Sequence, residues 1–326
     1  MSTTLFVTDP LGGLDAGIDS SVGLMAAAQE HGGAVWVCRP EDLSLVAGRL
    51  HARSARIALR PRATRGDHRW LVEQQWYDEV ERRTLDVAAD VDLAFLRPDP
   101  PVDPRYLRTT YLLEVAARAG VRVVNDPAGV RQVQEKLFPL RFPALCPATT
   151  VTADADEAVG FLRGHGAVVV KPVDGFSGID VWLVRADDPN ARSMVESATD
   201  RGRRQALLQE YLPAVSGGNK RLFVLDGEII GAVDRLPTTD DFRIGAPSAP
   251  AEPDRQDRAI VAAIAPDLAR HGIALAGLDV IDGRLIEVNV TCPGGMHKAD
   301  ALLGTDLSGT IIRRLLPHIT NERCSA

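Results

Sequence analysis

The chain reads as an α/β protein, a parallel-sheet part followed by an α+β part, on three observations. Over residues 1–125, short apolar runs of strand character alternate with helix-like runs, the grammar of a parallel sheet with helices on both faces. Later strands turn straight back through Asp226-Gly227 and Asp282-Gly283, so they form antiparallel hairpins. The length, 326 residues, exceeds one small core and calls for two or three domains. The chain divides by this reading into 1–125, 126–206 and 207–326.

Taken in order, "TLFVTDP" is a strand running into a loop. "SSVGLMAAAQEHGG" is a helix, with Ser20 as candidate cap and Gly32-Gly33 as its stop. "AVWVC" is the next strand, and no element is read in the polar, arginine-rich stretch after it. "VDLAFLRPDPP" is a buried strand opening into a proline-stiffened loop, followed by the helix "PRYLRTTYLLEVAARAG" and the strand "VRVVN". "TDPLGGLDAGIDSS" and "RPDPP" both lie beyond carboxyl ends of strands, where parallel sheets gather ligands. Each is equally well a plain surface loop.

From Asp126 the grammar changes. "PAGVRQVQEKLF" reads as a short helix carrying Lys136, and "VVVKPVDGFSG" as a strand ending in a glycine loop. "ALLQEYLP", the hairpin "KRLFVLDGEIIGAVDRLP", the helix "RQDRAIVAAIAPDLARHG" and the hairpin "GLDVIDGRLIEVNV" complete the fold. "TTDDFRIGAPSAPAEP", polar and rich in Pro and Ala, is expected to be a mobile loop.

Composition narrows function by exclusion. Apolar content of 45% and charge of 25% are those of an ordinary soluble globular protein. A net charge of -7 argues against a nucleic-acid or membrane-surface partner. No apolar run reaches membrane-spanning length, and "MSTTLFVTDPLGG" lacks the pattern of a secretory signal, so the expected location is the cytoplasm. Cys38, Cys146, Cys292 and Cys324 lie far apart, with neither a zinc spacing nor a disulfide framework. The 37 basic residues include only four lysines: Lys136, Lys171, Lys220 and Lys298. Lysine is not this chain's default cation, so a retained one marks a place where a compact ammonium is wanted.

Candidate chemistry gathers on a few segments. Glu287 and Asn289 sit two apart on a strand and share a face. A carboxylate among apolar neighbours needs a cation, either an ordinary salt bridge or a magnesium ion held with phosphate. Lys171 precedes a loop whose glycines let backbone N–H groups approach phosphate oxygens. Glu210, Tyr211 and Leu212 form a plausible nucleotide edge, or simply a strand end. If Asp279 is to join Glu287, a two-residue turn at Asp282-Gly283 sends it to the wrong face. A longer loop or a β-bulge is then required. No G-x-G-x-x-G follows the first strand, which excludes a Rossmann dehydrogenase.

In this order the segments resemble the ATP-grasp fold and, further, the bacterial glutathione synthetase family. "DP…DSS", "LRPDPPVD", "YLLE", "EKLF", "KPVDGFSG", "YLPAVSGGNKRLFVLDGE" and "GLDVI…LIEVNVT" appear in the family's order across nearly the whole chain. The resemblance implies a Rossmann-like, pre-ATP-grasp domain followed by a two-lobed ATP-grasp domain. It implies an ADP-forming ligase that phosphorylates a carboxylate and passes the acyl group to an amine. Lys136 and Lys171 would clamp ATP, under a loop of Asp174, Gly175, Phe176, Ser177 and Gly178. Glu210, Tyr211, Leu212 and Asn219 would line adenosine, and Asp279, Glu287 and Asn289 would hold magnesium, or manganese in its place. Arg221 and Arg243 would face the reacting groups, with Ser20 and Ser21 near substrate. From the residues themselves, the Gly294 and Gly295 N–H groups and the rare Lys298 are candidates to bind the acceptor or the acyl phosphate, and Lys298 is equally well a solvated residue after a turn. The partners implied are a small-molecule carboxylate and amine, γ-glutamylcysteine and glycine being nearest, and a homotetramer of the chain.

The departures concern the substrates. The family's loop carries Arg-Gly-Asn and a glycine pair; "DDFRIGAPSAP" keeps only Arg243. "CPGGMHKAD" replaces the family's Ser-Pro-Thr segment near the glycine acceptor. Asn219 stands for the family's Asp, and lysines ahead of "DSS" are absent. Two alternatives therefore stand beside glutathione synthesis: a ligase retuned to another amino acid, peptide or amine, and a catalytically silent nucleotide-binding regulator. The retained lysines and metal ligands speak against the silent form.

Overall fold

The computed structural model describes residues 2–61, 64–65, 69–176, 178–238 and 241–316. β1 (Thr3–Thr8) leads into α1 (Ser20–Glu30), then β2 (Ala34–Cys38), β3 (Leu43–Val46) and β4 (Arg49–Leu59). β5 (Thr64–Arg65) and β6 (Trp70–Leu71) make a small ribbon, followed by β7 (Tyr77–Asp86), α2 (Val87–Asp90) and β8 (Leu93–Arg97). α3 (Pro104–Arg118), β9 (Arg122–Val124) and α4 (Pro127–Gln132) finish this part. β2, β1, β8 and β9 are parallel neighbours, as the strand–helix alternation requires.

Two expectations change here. The arginine-rich stretch is not irregular: β3, β4 and β7 add antiparallel strands to the sheet. Their apolar alternation is faint because β4 buries Leu50, Ala52 and Ser54 while β7 is largely exposed. Cross-strand pairs such as Arg56–Glu81 at 3.2 Å line the ribbon instead. The cap of α1 is Asp19, whose carboxylate accepts from Ser21 N at 2.7 Å, and Ser20 is the first helical residue.

A second sheet of four strands follows: β10 (Thr149–Thr152), β11 (Ala167–Pro172), β12 (Trp182–Arg185) and β13 (Ala206–Glu210), backed by α5 (Ala155–His165) and α6 (Ala191–Ala198). The third sheet contains β14 (Asn219–Leu225), β15 (Glu228–Thr238), β16 (Asp241–Pro250), β17 (Leu275–Ile281) and β18 (Arg284–Asn289). α7 (Arg255–Arg270) precedes β17, and α8 (Met296–Leu303) and α9 (Leu307–Leu315) close the described chain. The expected loop at 238–253 is mostly strand: β16 pairs with β15, though residues 239–240 lie outside the described set. Its Pro and Ala sit on an edge strand, where proline is tolerated. The helix expected to carry Lys136 ends at Gln132, and Lys136 stands in a turn beyond it.

The cores tie these parts unequally. Phe6, Leu24 and Phe95 of the first part share one core with Phe223, Leu275, Leu307 and Ile311 of the last. Each such fully buried side chain contributes about 1.5–3 kcal/mol. Asn125 adds a polar rivet: its Nδ2 donates to Leu275 O at 2.7 Å and Val290 O at 2.8 Å, and its Oδ1 accepts from Leu275 N at 2.8 Å. The second sheet keeps a core of its own, Leu162, Val168, Val170, Val184, Val195 and Leu208 among its members. It is therefore the part able to move as a unit against the rest.

Candidate active site

Between the second and third sheets lies a cavity of ≈ 580 Å³. β11 and β13 bring Lys171 and Gln209 to one wall; β14, β15, β17 and β18 bring Arg221, Arg235, Asp279, Glu287 and Asn289 to the other. Lys136 reaches in from its turn, and the Pro100 and Gly294 loops close one end.

The hairpin of β17 and β18 explains why both carboxylates face the cavity. Asp282 (φ 48°) and Gly283 (φ 66°) form the tight left-handed turn that Asp-Gly favours. Ile281 pairs with Arg284 and Val280 with Leu285, yet Asp279 pairs with Glu287. Ile286 is thus the extra residue of a β-bulge, which restores Asp279 to the face of Glu287.

The carboxylates of this wall are met by cations. Arg221 is bidentate to Asp279, Nε to Oδ1 at 2.5 Å and Nη2 to Oδ2 at 2.9 Å, and Arg235 Nη2 adds a contact of 2.6 Å. Burial pushes the Asp279 carboxyl up, but the two guanidiniums outweigh it and hold it well below the usual carboxylate range. Lys136 Nζ lies 3.1 Å from Glu287 Oε1 and donates to Gly175 O, tying the glycine loop to the carboxylate wall. Lys171 Nζ donates to Gln209 Oε1 at 3.0 Å. Burial lowers its affinity for a proton, and the Glu287 charge offsets that only in part.

Most of the expected residues converge on this cavity: Lys136, Lys171, Gly175, Phe176, Gly178, Glu210, Tyr211, Leu212, Asn219, Arg221, Arg243, Asp279, Glu287, Asn289, Gly294 and Gly295. Tyr211 N already donates to Ala167 O at 3.1 Å, which leaves Leu212 as the backbone donor of that edge. Arg243 Nη1 reaches Gly178 O at 3.2 Å, so the β16 strand meets the glycine loop. Asp174 is exposed and off the cavity wall, and Ser177 lies outside the described residues. Ser20 and Ser21 are buried behind the end loop rather than on the wall: Ser20 Oγ accepts from Met296 N at 3.1 Å, Ser21 Oγ from Arg97 Nε at 3.0 Å. Arg97 in turn donates to Pro293 O at 3.1 Å, so both serines brace the segment that carries Gly294. Lys298 stands on α8 away from the wall, near Arg69 and Asp15.

Among the wall residues that the sequence did not single out are Asp99, Glu135, Gln209 and Arg235. Glu135 is half-buried and accepts from Val290 N, Thr291 N and Thr291 Oγ1 at 2.8–2.9 Å, anchoring the strand end beyond the carboxylates. Arg235 was findable only through register, since it pairs with Asn219 across the β14–β15 hairpin. Two carboxylates and an amide make an all-oxygen donor set, suited to a hard divalent cation with a nucleotide. Asn289 fits that role because its Nδ2 donates to Gly277 O at 2.9 Å, leaving its oxygen for a cation.

Three sheets, a glycine loop and paired lysines facing acidic strands define an ATP-grasp ligase. The ATP-grasp ligase PsnB superposes with TM-score 0.62 at 18% identity, over 97% of this chain and 99% of that one. The D-cycloserine synthetase DcsG does so with TM-score 0.62 at 20% identity, over 96% and 100%. The models of the prokaryotic glutathione synthetase N-terminal domain and ATP-grasp domain match residues 3–131 and 135–304. Glutathione synthetase of Thermosynechococcus vestitus is 41% identical over 94% of this chain and 97% of its own length, and that of Synechocystis sp. 37% over 94% and 97%. The chain belongs to the prokaryotic glutathione synthetase family and is an ATP-dependent, ADP-forming ligase.

Proposed function

We propose that the protein joins the free carboxylate of γ-glutamylcysteine to the amine of glycine, with ATP converted to ADP and phosphate. The names of its relatives support the substrates. The observation that carries the reading is the meeting of Lys136 and Lys171 with the Asp279–Glu287 wall in one cavity. Magnesium held by Asp279, Glu287 and Asn289 would supply charge neutralisation at the phosphates.

The residues divide the work as follows. Lys136 and Lys171 bind the phosphate chain, and the backbone at Gly175, Phe176 and Gly178 covers it and excludes water. The donor carboxylate oxygen attacks the terminal phosphorus, the bond to ADP breaks, and an acyl phosphate forms. The unprotonated amine then adds to the acyl carbon, phosphate leaves with its oxygen, and the amine's proton passes to solvent. Arg221 and Arg235, already aimed at a carboxylate, stabilise the negative charge that builds on the acyl oxygen and phosphoryl group. Arg243 steadies the glycine loop over the reacting atoms.

One observation favours a second reading in which the acceptor differs. Cys292, Gly294 and Gly295 line the acceptor end, in the segment where the family carries Ser-Pro-Thr, and Asp99 adds a carboxylate beside them. A site that hydrogen-bonds its substrate rejects analogues lacking those groups strongly. ADP release with γ-glutamylcysteine and a panel of amino acids and amines, read with product mass, separates the two. Glycine as best acceptor upholds the first reading; another amine upholds the second; no ADP release with any pair overturns both. Assembly as a homotetramer and residence in the cytoplasm belong to the same reading, supported by family likeness.

A further inference from the structure

A second cavity, ≈ 270 Å³, opens beyond the carboxyl ends of β1 and β2, the edge at which parallel sheets take ligands. Its floor is apolar, from Val37, Ile57 and Tyr77. On its wall Thr8 is 2% exposed, and its hydroxyl has no hydrogen-bond partner among the described residues. A buried hydroxyl left in that state costs stability, unless a ligand meets it.

The charges around it are arranged in two groups. Asp42 takes both Arg39 at 3.0 Å and Arg53 at 2.6 Å, so one carboxylate faces two guanidiniums. Arg82 stands on the same side, paired with Glu79 at 2.5 Å. The cationic side therefore carries one positive charge in excess. Asp9 supplies an anionic group: its carboxylate accepts from Arg105 Nη1 at 3.1 Å and from Asp99 N at 2.8 Å. Asp9 lines this cavity and Asp99 lines the large one, so a single hydrogen bond joins the two sites.

We propose that this cavity binds the zwitterionic head of an α-amino acid. The carboxylate lies against Arg53 and Arg82 and takes the Thr8 hydroxyl; the ammonium faces Asp9; the apolar floor carries the side chain. Two sources share that chemistry, a free amino acid and the amino-acid head of an acyl donor reaching over from the large cavity. The second source rests on the proposed function, whereas binding measured without nucleotide tests the head-group assignment independently of turnover.

Calorimetry on the full chain with glycine, L-glutamate and γ-glutamylcysteine tests it. At least one should bind saturably, and Thr8→Val and Arg82→Gln should each weaken binding about tenfold or more while leaving ATP affinity within about twofold. Thr8→Val should keep or raise the thermal midpoint of the free protein, since the lost hydroxyl had no partner. If L-glutamate raises the KM of the dipeptide, the site holds the donor's head; if it binds with that KM unchanged, the site is separate. Either result upholds the head-group assignment. No saturable binding of any probe, or equal binding in both variants, overturns it, and ligase turnover unaffected by that failure leaves the proposed function intact.

Discussion

Asp279 and Glu287 stand directly opposite each other on β17 and β18, although only a two-residue turn joins the strands. The bulge at Ile286 accomplishes this, and Arg221 and Arg235 then neutralise the carboxylate so presented. Breaking one side of such a buried cluster leaves charge without a partner. Asp279→Asn should therefore lose about 3–5 kcal/mol of stability by urea unfolding, beyond any loss of activity. A variant as stable as the parent refutes the account.

The same cluster sets a pH dependence. Asp279 has its folded-state proton affinity lowered, so its contribution is present in full above the unfolded value, about pH 3.9, and is lost as pH falls through the lower folded value. The stability gap between parent and Asp279→Asn should accordingly be constant from neutral pH to about pH 5 and shrink below about pH 4. A gap that widens on acidification is the contrary result.

Lys171 offers a proton-linked test of phosphate binding. Burial lowers its proton affinity in the free protein, and an arriving phosphate raises it again. ATP binding should then take up protons, increasingly so as pH rises above neutrality, read from calorimetry in buffers of different ionisation enthalpy. Lys171→Met should abolish that uptake and weaken ATP by about 1.5–3 kcal/mol, roughly 10- to 100-fold.

Arg243 and Lys298 should separate. Arg243 touches the glycine loop through Gly178 O, whereas Lys298 lies off the cavity wall. Arg243→Ala should lower kcat roughly 10²-fold with ATP affinity little changed. Lys298→Ala should stay within about 0.5 kcal/mol of the parent in kcat/KM, the usual range for a residue away from such features. Steady-state kinetics with the best acceptor decides both.

Cys38, Cys146 and Cys292, the cysteines among the described residues, should be inert in the native state. Burial pushes the Cys38 thiol up to about 12 and Cys146 to about 11, and burial with the Asp99 carboxylate also raises Cys292 well above its ordinary value. All three remain thiols at about pH 8 and so are poor nucleophiles. Iodoacetamide followed by peptide mass spectrometry should find them unmodified; alkylation of Cys292 contradicts this.

By itself the sequence determined whatever depends on local periodicity and turn chemistry. The alternation of strands and helices announced the parallel sheet, and the two Asp-Gly pairs announced the hairpins that became β14–β15 and β17–β18. Glu287 and Asn289 shared a face because a strand repeats every two residues. It also limited Asp279 to a bulge or a longer loop, and a bulge is what occurs. Only tertiary structure decided register and partnership. Ile286 bulges, and Arg235 meets Asp279, because of pairings set across strands distant in sequence. Gln209 and Glu135 join the site the same way, through neighbours on other elements. The β4–β7 ribbon stayed hidden because its pattern is written in charge pairs rather than apolar alternation. Ser20 and Ser21 moved from substrate wall to brace because burial depends on how α8 packs onto α1, and no spacing within a segment encodes that.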